Sequence, residues 1–358
     1  MLSSDPPEFR PPASRRPTLL YSWWITGFSL VIILVRLAGR KIRSNRLFRE
    51  DWIMLAALIP LATRMALVHM ALIYDTNNVR LPITPFSDTE IDHRSIGSRA
   101  VLAARIFYAM YIWACKLTVS EFLRRITMQV GRRSLDIAID MIRGFLLVTF
   151  IGVVIAALAE CRPIQLNWQV VPSPPPQCRN GYAHLLTMGI SDVITDIVLI
   201  VFPIPMILLS GQTWRRQLQL SALFGLSTVL IVITACRMPN VIKHHGRQQY
   251  RTVWASSEIL AATGVANAVI LGSFLRDKGT KRRKFHTSNG HRPSVETALG
   301  RRQRQTQIGS FSSEENLFRS MGMRLPEHLQ EHVLIEPLPS APMEEPHLED
   351  PGGLLRRE

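Results

Sequence analysis

Between positions 20 and 275 the chain is a succession of apolar blocks, each close to bilayer-spanning length, separated by short polar connectors. A hydrocarbon core of about 30 Å, at 1.5 Å rise per residue, asks for roughly 20 apolar residues in each crossing helix. Inside that core every backbone N–H and C=O must be satisfied within the chain, which confines such blocks to a helical bundle. The blocks lie at about 20–38, 52–73, 99–122, 141–160, 183–209, 218–236 and 253–274. The expected fold is therefore an all-α, polytopic, seven-transmembrane helix bundle over residues 20–275. The third block is the most polar.

The flanking segments differ in kind. Residues 1–19 are Pro-rich and aperiodic and read as a flexible extracellular terminus. Residues 276–358 begin basic and turn acidic, with little apolar content, and read as a disordered cytoplasmic tail. Whole-chain hydrophobicity of 47% hides this division, because a soluble domain reaches the same average.

The net charge of +15 would suit a nucleic-acid binder, but the basic residues fall mainly in connectors and just after the last block. They read as topology signals and contacts to anionic lipid, with no nucleic acid implied. Arg40, Lys41, Arg43, Arg46, Arg49, Arg124, Arg125, Arg132, Arg133, Arg215, Arg216 and the run after Arg276 favour one face. The positive-inside rule then places the N-terminus outside and the C-terminus in the cytoplasm, with the plasma membrane as the expected compartment.

Charges inside the blocks are costly, so each must face the bundle interior, a wet cavity or an interface. They are Arg64, Arg105, Lys116, Glu121, Asp192, Asp196 and Glu258. Asp192 and Asp196 are four residues apart, on one helix face. Depth arithmetic puts Lys116 and Asp196 at similar levels, about 20 Å into their helices. A Lys116–Asp196 pair follows, with Arg64 as a further candidate member. Glu258 could pair with Arg105 or Arg251. Such residues serve a structural ion network, a ligand pocket or gate, or ion conduction.

Cys161 and Cys178 share one loop on the expected outer side, where a disulfide would make a rigid lid. Cys236 competes as a partner, and Cys115 reads as a small buried apolar residue. Pro203 and Pro205 would kink or end the fifth helix. The last block contains no lysine, which disfavours a retinal Schiff base, and no cofactor is expected. The sequence lacks a P-loop, a dinucleotide fingerprint, HExxH and GxSxG, so nothing points to an enzyme.

Six segments taken in order resemble the fungal rhodopsin-like integral membrane family, which includes relatives of the rice-blast pathogenicity receptor. They are REDWIMLAA at 49–57, YIWACKLTVSEFLRRI at 111–126, CRPIQLNW at 161–168 with Cys178, and SDVITDIVLIVFPIPMILL at 191–209. RRQLQLSALFGLSTVLIVITACR at 215–237 and WASSEILAATGVANAVILGSFLRDKG at 254–279 complete the set. The resemblance implies a receptor-like bundle, with Lys116, Asp192, Asp196, Pro203, Pro205 and Glu258 as family-typical positions. It further implies a lipid-embedded protein that senses a small molecule or surface cue and meets a cytoplasmic partner such as a heterotrimeric G protein. A structural scaffold and a transporter are the competing readings.

Overall fold

The computed structural model describes residue 7 and residues 15–44, 47–78, 86–130, 133–202 and 214–276. Seven long helices run through these segments: α1 Arg16–Ser44, α2 Arg49–Tyr74, α3 Asp88–Val130, α4 Arg133–Ala159, α5 Tyr182–Val201, α6 Trp214–Lys243 and α7 Gln248–Arg276. Among the described residues, five of them, α1 to α5, have the length and apolarity to cross a membrane. The chain is thus a multi-pass helical membrane protein in contact with lipid. Pro203 and Pro205, the expected kink, lie outside the described residues, as does the tail after Arg276.

The helices extend beyond the apolar blocks because their polar ends carry their own start signals. At the head of α2 the Asp51 carboxylate accepts a hydrogen bond from the Phe48 N–H at 3.1 Å, and Glu50 joins it in the first turn. Both acids favour the positive end of the helix dipole. Helix α3 begins with Asp88 and Glu90 in its first turn and runs for 43 residues, about 65 Å at 1.5 Å each. The segment read as a loop up to position 98 is therefore helical from Asp88 onward. Likewise the described parts of the basic connector between the third and fourth blocks, up to Val130 and from Arg133, are helical.

Helices adjacent in sequence pack together, and α1 also packs on α7, which closes the ring. Helix α3 touches α2, α4, α5 and α7, so it occupies the middle. That position explains its polarity. In its apolar window 56% of residues are buried within the protein, against 17% for α4. Lipid does not contact most of α3, whereas α4 turns Leu147, Val148, Ile151 and Ile155 outward. The main core gathers Met54, Leu61, Tyr111, Ile112, Leu146 and Met188 around α3.

The loop between α4 and α5 holds a disulfide joining Cys161 to Cys178, with Cα atoms 5.4 Å apart. A 3-10 turn, Ile164–Asn167, and a short helical turn, Pro176–Asn180, shape it. The loop is fastened to the bundle at two points. Arg99 of α3 lies over the Trp168 ring at 5.1 Å, and the Asn77 side chain donates to the Asn167 and Gln169 carbonyls at 3.0 and 3.1 Å. Gly181 then turns the chain into α5 with φ +60°, and any side chain there would strike the Arg105 guanidinium. Cys115 is buried and free, and Cys236 is free and exposed.

Candidate functional site

Lys116, Asp192, Asp196 and Glu258 belong to one connected arrangement at mid-bundle. Lys116 of α3 donates to the Asp192 carbonyl oxygen at 2.9 Å and pairs with the Asp192 carboxylate at 3.0 Å. It also pairs with Asp196. The i, i+4 spacing of the two acids puts both on the face of α5 that looks at α3. From Asp192 the network passes to α6, where the Thr234 hydroxyl lies 3.0 Å from Asp192 Oδ2 and 2.8 Å from Glu258 Oε1 of α7. Glu258 pairs with Arg237 of α6, which in turn donates to the Tyr108 hydroxyl of α3. The path leaves α3 at Lys116 and returns to it at Tyr108. Every residue along it is nearly inaccessible to solvent, with Glu258 and Thr234 at 0% exposure.

One detail sets the chemistry. A threonine hydroxyl has one proton to give but two lone pairs to accept with. Thr234 stands within hydrogen-bond reach of two carboxylates and can donate to only one of them at a time. Lys116 likewise sits between two acids. The network therefore has alternative pairings available without any change of backbone. Beside Lys116, Asp192 and Asp196 lies a cavity of about 30 Å³, otherwise lined mainly by apolar residues such as Ile112, Leu199 and Val265, with Ser227 among them. That volume suits a water or two.

Other charged residues find partners that hydropathy alone did not indicate. Arg64 does not join Lys116; it donates to Ser256 Oγ of α7 at 3.1 Å. Glu258 pairs with neither Arg105 nor Arg251, because α6 continues to Lys243 and carries Arg237 to it. Arg105 pairs instead with Glu160 at 3.3 Å, and Glu160 also accepts from the Ala183 N–H at the start of α5. Glu121 pairs with Arg143.

A second buried network, unforeseen from the sequence, closes the end opposite the disulfide. Arg36 of α1, at 0% exposure, reaches Asp51 of α2 at 3.0 Å and the Ala266 carbonyl and Asn267 side chain of α7 at 3.0 and 3.2 Å. Arg40 pairs with Glu50 at 3.2 Å, and Arg125 of α3 meets the same carboxylate. Asp51 thus caps α2 and clamps α1 at once. The REDW segment that marks the second block holds this clamp, and its two acids were the available signal.

The fungal rhodopsin domain matches residues 35–273, which takes in α2 to α6 whole, the end of α1 and all but the last turn of α7. The chain belongs to the fungal rhodopsin family. It is also 24% identical, over 213 residues, to "Polyenoic acids biosynthesis gene cluster protein Ba17b" of Metarhizium anisopliae. The match takes in 56% of this chain and 54% of the relative, so the chain spans about half the length of the curated relative it matches. No solved structure matches it. Both polar networks and the Cys161–Cys178 loop of this fungal rhodopsin-family chain fall inside the matched region.

Proposed function

We propose that this fungal rhodopsin-family protein is a receptor-like membrane protein. It senses a small molecule at the disulfide-bearing end and passes the change to a cytoplasmic partner at the other. The observation that carries the reading is the single polar path through α3, α5, α6 and α7, with Lys116 and Thr234 each placed between two carboxylates. A ligand that favours one pairing over another biases the positions of four helices together, which is the differential interaction a switch requires. The clamp of Arg36, Asp51, Arg40 and Glu50 at the far end is the element such a shift would reach.

On this reading the disulfide end faces the outside of the plasma membrane and the basic end faces the cytoplasm. A heterotrimeric G protein is the partner proposed, and the bound lipid is the bilayer itself. Covalent retinal is not part of the proposal, since α7 has no lysine. The test is proximity labelling from the 276–358 tail in fungal cells, with and without stimulus. Stimulus-dependent recovery of a G-protein subunit supports the receptor. Recovery of lipid-handling or transport machinery alone rejects it.

A scaffold reading has one specific support, the near-complete pairing of the buried acids. Single Asp192→Asn and Asp196→Asn variants separate the two. Folded, membrane-delivered but unresponsive protein fits a switch, and loss of folded protein fits a scaffold.

A further inference from the structure

Four arginines converge on one cavity at the disulfide end of the bundle. Arg64 of α2, Arg105 of α3, Arg237 of α6 and Arg251 of α7 line it together with Tyr108 and His184, around about 60 Å³ of open space. A smaller polar cavity of about 30 Å³ shares Arg105 and Arg251 with it and reaches Asn167 and Cys178 under the disulfide loop. Like charges gather in a buried place only when something opposes them. Arg105 has Glu160 and Arg237 has Glu258. Among the described residues no carboxylate pairs with Arg64 or Arg251. Arg64, 2% exposed, donates to a serine hydroxyl, and Arg251 donates to the Gly246 and Asn180 carbonyl oxygens. The His184 Nε2 is buried in the same wall, at 4% residue exposure, with no hydrogen-bond partner among the described residues. The Arg105 Nε is also unsatisfied.

We propose that this cavity binds the carboxylate head of a small organic monoanion, with Arg64 and Arg251 as its charge partners and His184 as a further hydrogen-bonding group. Among the described residues Arg64 and Arg251 are the two arginines of this wall that no carboxylate pairs with, and an anion supplies what they lack. A planar carboxylate also fits the two-pronged donor geometry of a guanidinium. Val68, Val101, Ala104, Leu185 and Ala255 give the wall an apolar side that takes a short alkyl chain, with Gln248 and Thr252 as its other polar members. Because Arg237 belongs both to this cavity and to the mid-bundle path, an anion here competes with Glu258 for the same guanidinium. This deepens the proposed function by naming its ligand class, and it rests on that reading only for the consequence of binding.

The experiment uses the purified full chain in nanodiscs of zwitterionic lipid, titrated with sodium butanoate, butan-1-ol or butyl phosphate while Tm is followed. Butanoate is expected to raise Tm saturably, butan-1-ol to leave it unmoved, and butyl phosphate to bind less tightly than butanoate. Arg251→Gln is expected to weaken butanoate by about tenfold or more, the size of a lost charge-assisted hydrogen bond. Arg64→Gln should do the same; should it fail to fold, Arg64→Lys, which keeps the charge and loses the fork, is expected to weaken binding in the same direction. The proposal is overturned by an equal response to butan-1-ol, by tighter binding of butyl phosphate, or by unchanged butanoate affinity in Arg251→Gln. Saturable butanoate binding without recruitment of any tail partner would leave this site standing and remove the signalling role. Recruitment by another stimulus with no butanoate binding would do the reverse.

Discussion

Lys116 on α3 engages Asp192 on α5 twice, through the main-chain oxygen at 2.9 Å and the carboxylate at 3.0 Å, and still reaches Asp196 one turn on. The pairing is asymmetric: one ammonium serves two acids. Removing the ammonium takes the cation from both acids, leaving Asp192 the Thr234 hydroxyl, whereas removing either acid leaves Lys116 the other.

Lys116→Met should therefore be far more damaging than Asp196→Asn. Breaking a buried pair by deleting one partner costs about 3–5 kcal/mol. We expect Lys116→Met to abolish the monodisperse peak in fluorescence-detected size-exclusion chromatography, or to lower Tm by far more than Asp196→Asn does. Equal losses in the two variants would refute the asymmetric account.

Arg36 makes a parallel case at the other end. Its guanidinium holds Asp51, the Ala266 carbonyl and Asn267, so it ties α1 to both α2 and α7. Arg36→Leu leaves Asp51 with Arg40 at 3.5 Å as its remaining arginine contact. The acid is then partly compensated, and the double variant Arg36→Leu with Asp51→Asn should recover part of the stability lost in the single one. A double-mutant cycle with no coupling would show that the three helices are held by packing alone.

Much of this architecture is legible in the amino-acid sequence. Apolar blocks of bilayer length dictate helices, and a lysine or aspartate inside such a block must find a polar partner, so Lys116, Asp192 and Asp196 stand out. Arg237 does not. It stands at the end of its block, where a basic residue ordinarily marks the membrane surface, and only the continuation of α6 to Lys243 draws it inside. Arg36 is hidden for a related reason, since a long cationic side chain in the last turn of a block reads as reaching for the interface. Thr234, Tyr108 and Ser256 are ordinary residues in such blocks, and their roles come from which helix faces which. That neighbour relation is a tertiary fact, carried here by the central placement of α3.

The cysteines offer a chemical count. With Cys161 bonded to Cys178, the chain has two free thiols, Cys115 and Cys236. In detergent, native protein should react with a membrane-permeable maleimide at the exposed Cys236 and spare the buried Cys115. Unfolding without reductant should expose the second thiol, and reduction the remaining two. Mass spectrometry of the labelled protein reads each step, and native labelling at Cys161 or Cys178 would contradict the bonded loop.

Asp75 supplies a pH dependence with a definite sign. It lies just past the end of α2, where Arg15 approaches it at 2.5 Å and Arg94 at 3.6 Å. Burial nonetheless raises its carboxyl above the usual range, outweighing the two arginines, and Glu90 adds to the rise. A raised acid holds its proton more tightly in the folded state than in the unfolded chain. Its contribution to stability is then fully present below the ordinary aspartate value of about 3.9 and is lost as pH climbs through the raised folded value. Asp75→Asn has no such titration. Across a series from acid to neutral pH, the Tm of the wild type should fall relative to that of Asp75→Asn, the gap opening above the ordinary aspartate range. The group keeps 31% side-chain exposure, so solvent screening keeps the effect small. A gap of opposite sign, with the wild type gaining on Asp75→Asn as pH rises, would mean that Arg15 and Arg94 outweigh the cost of burial.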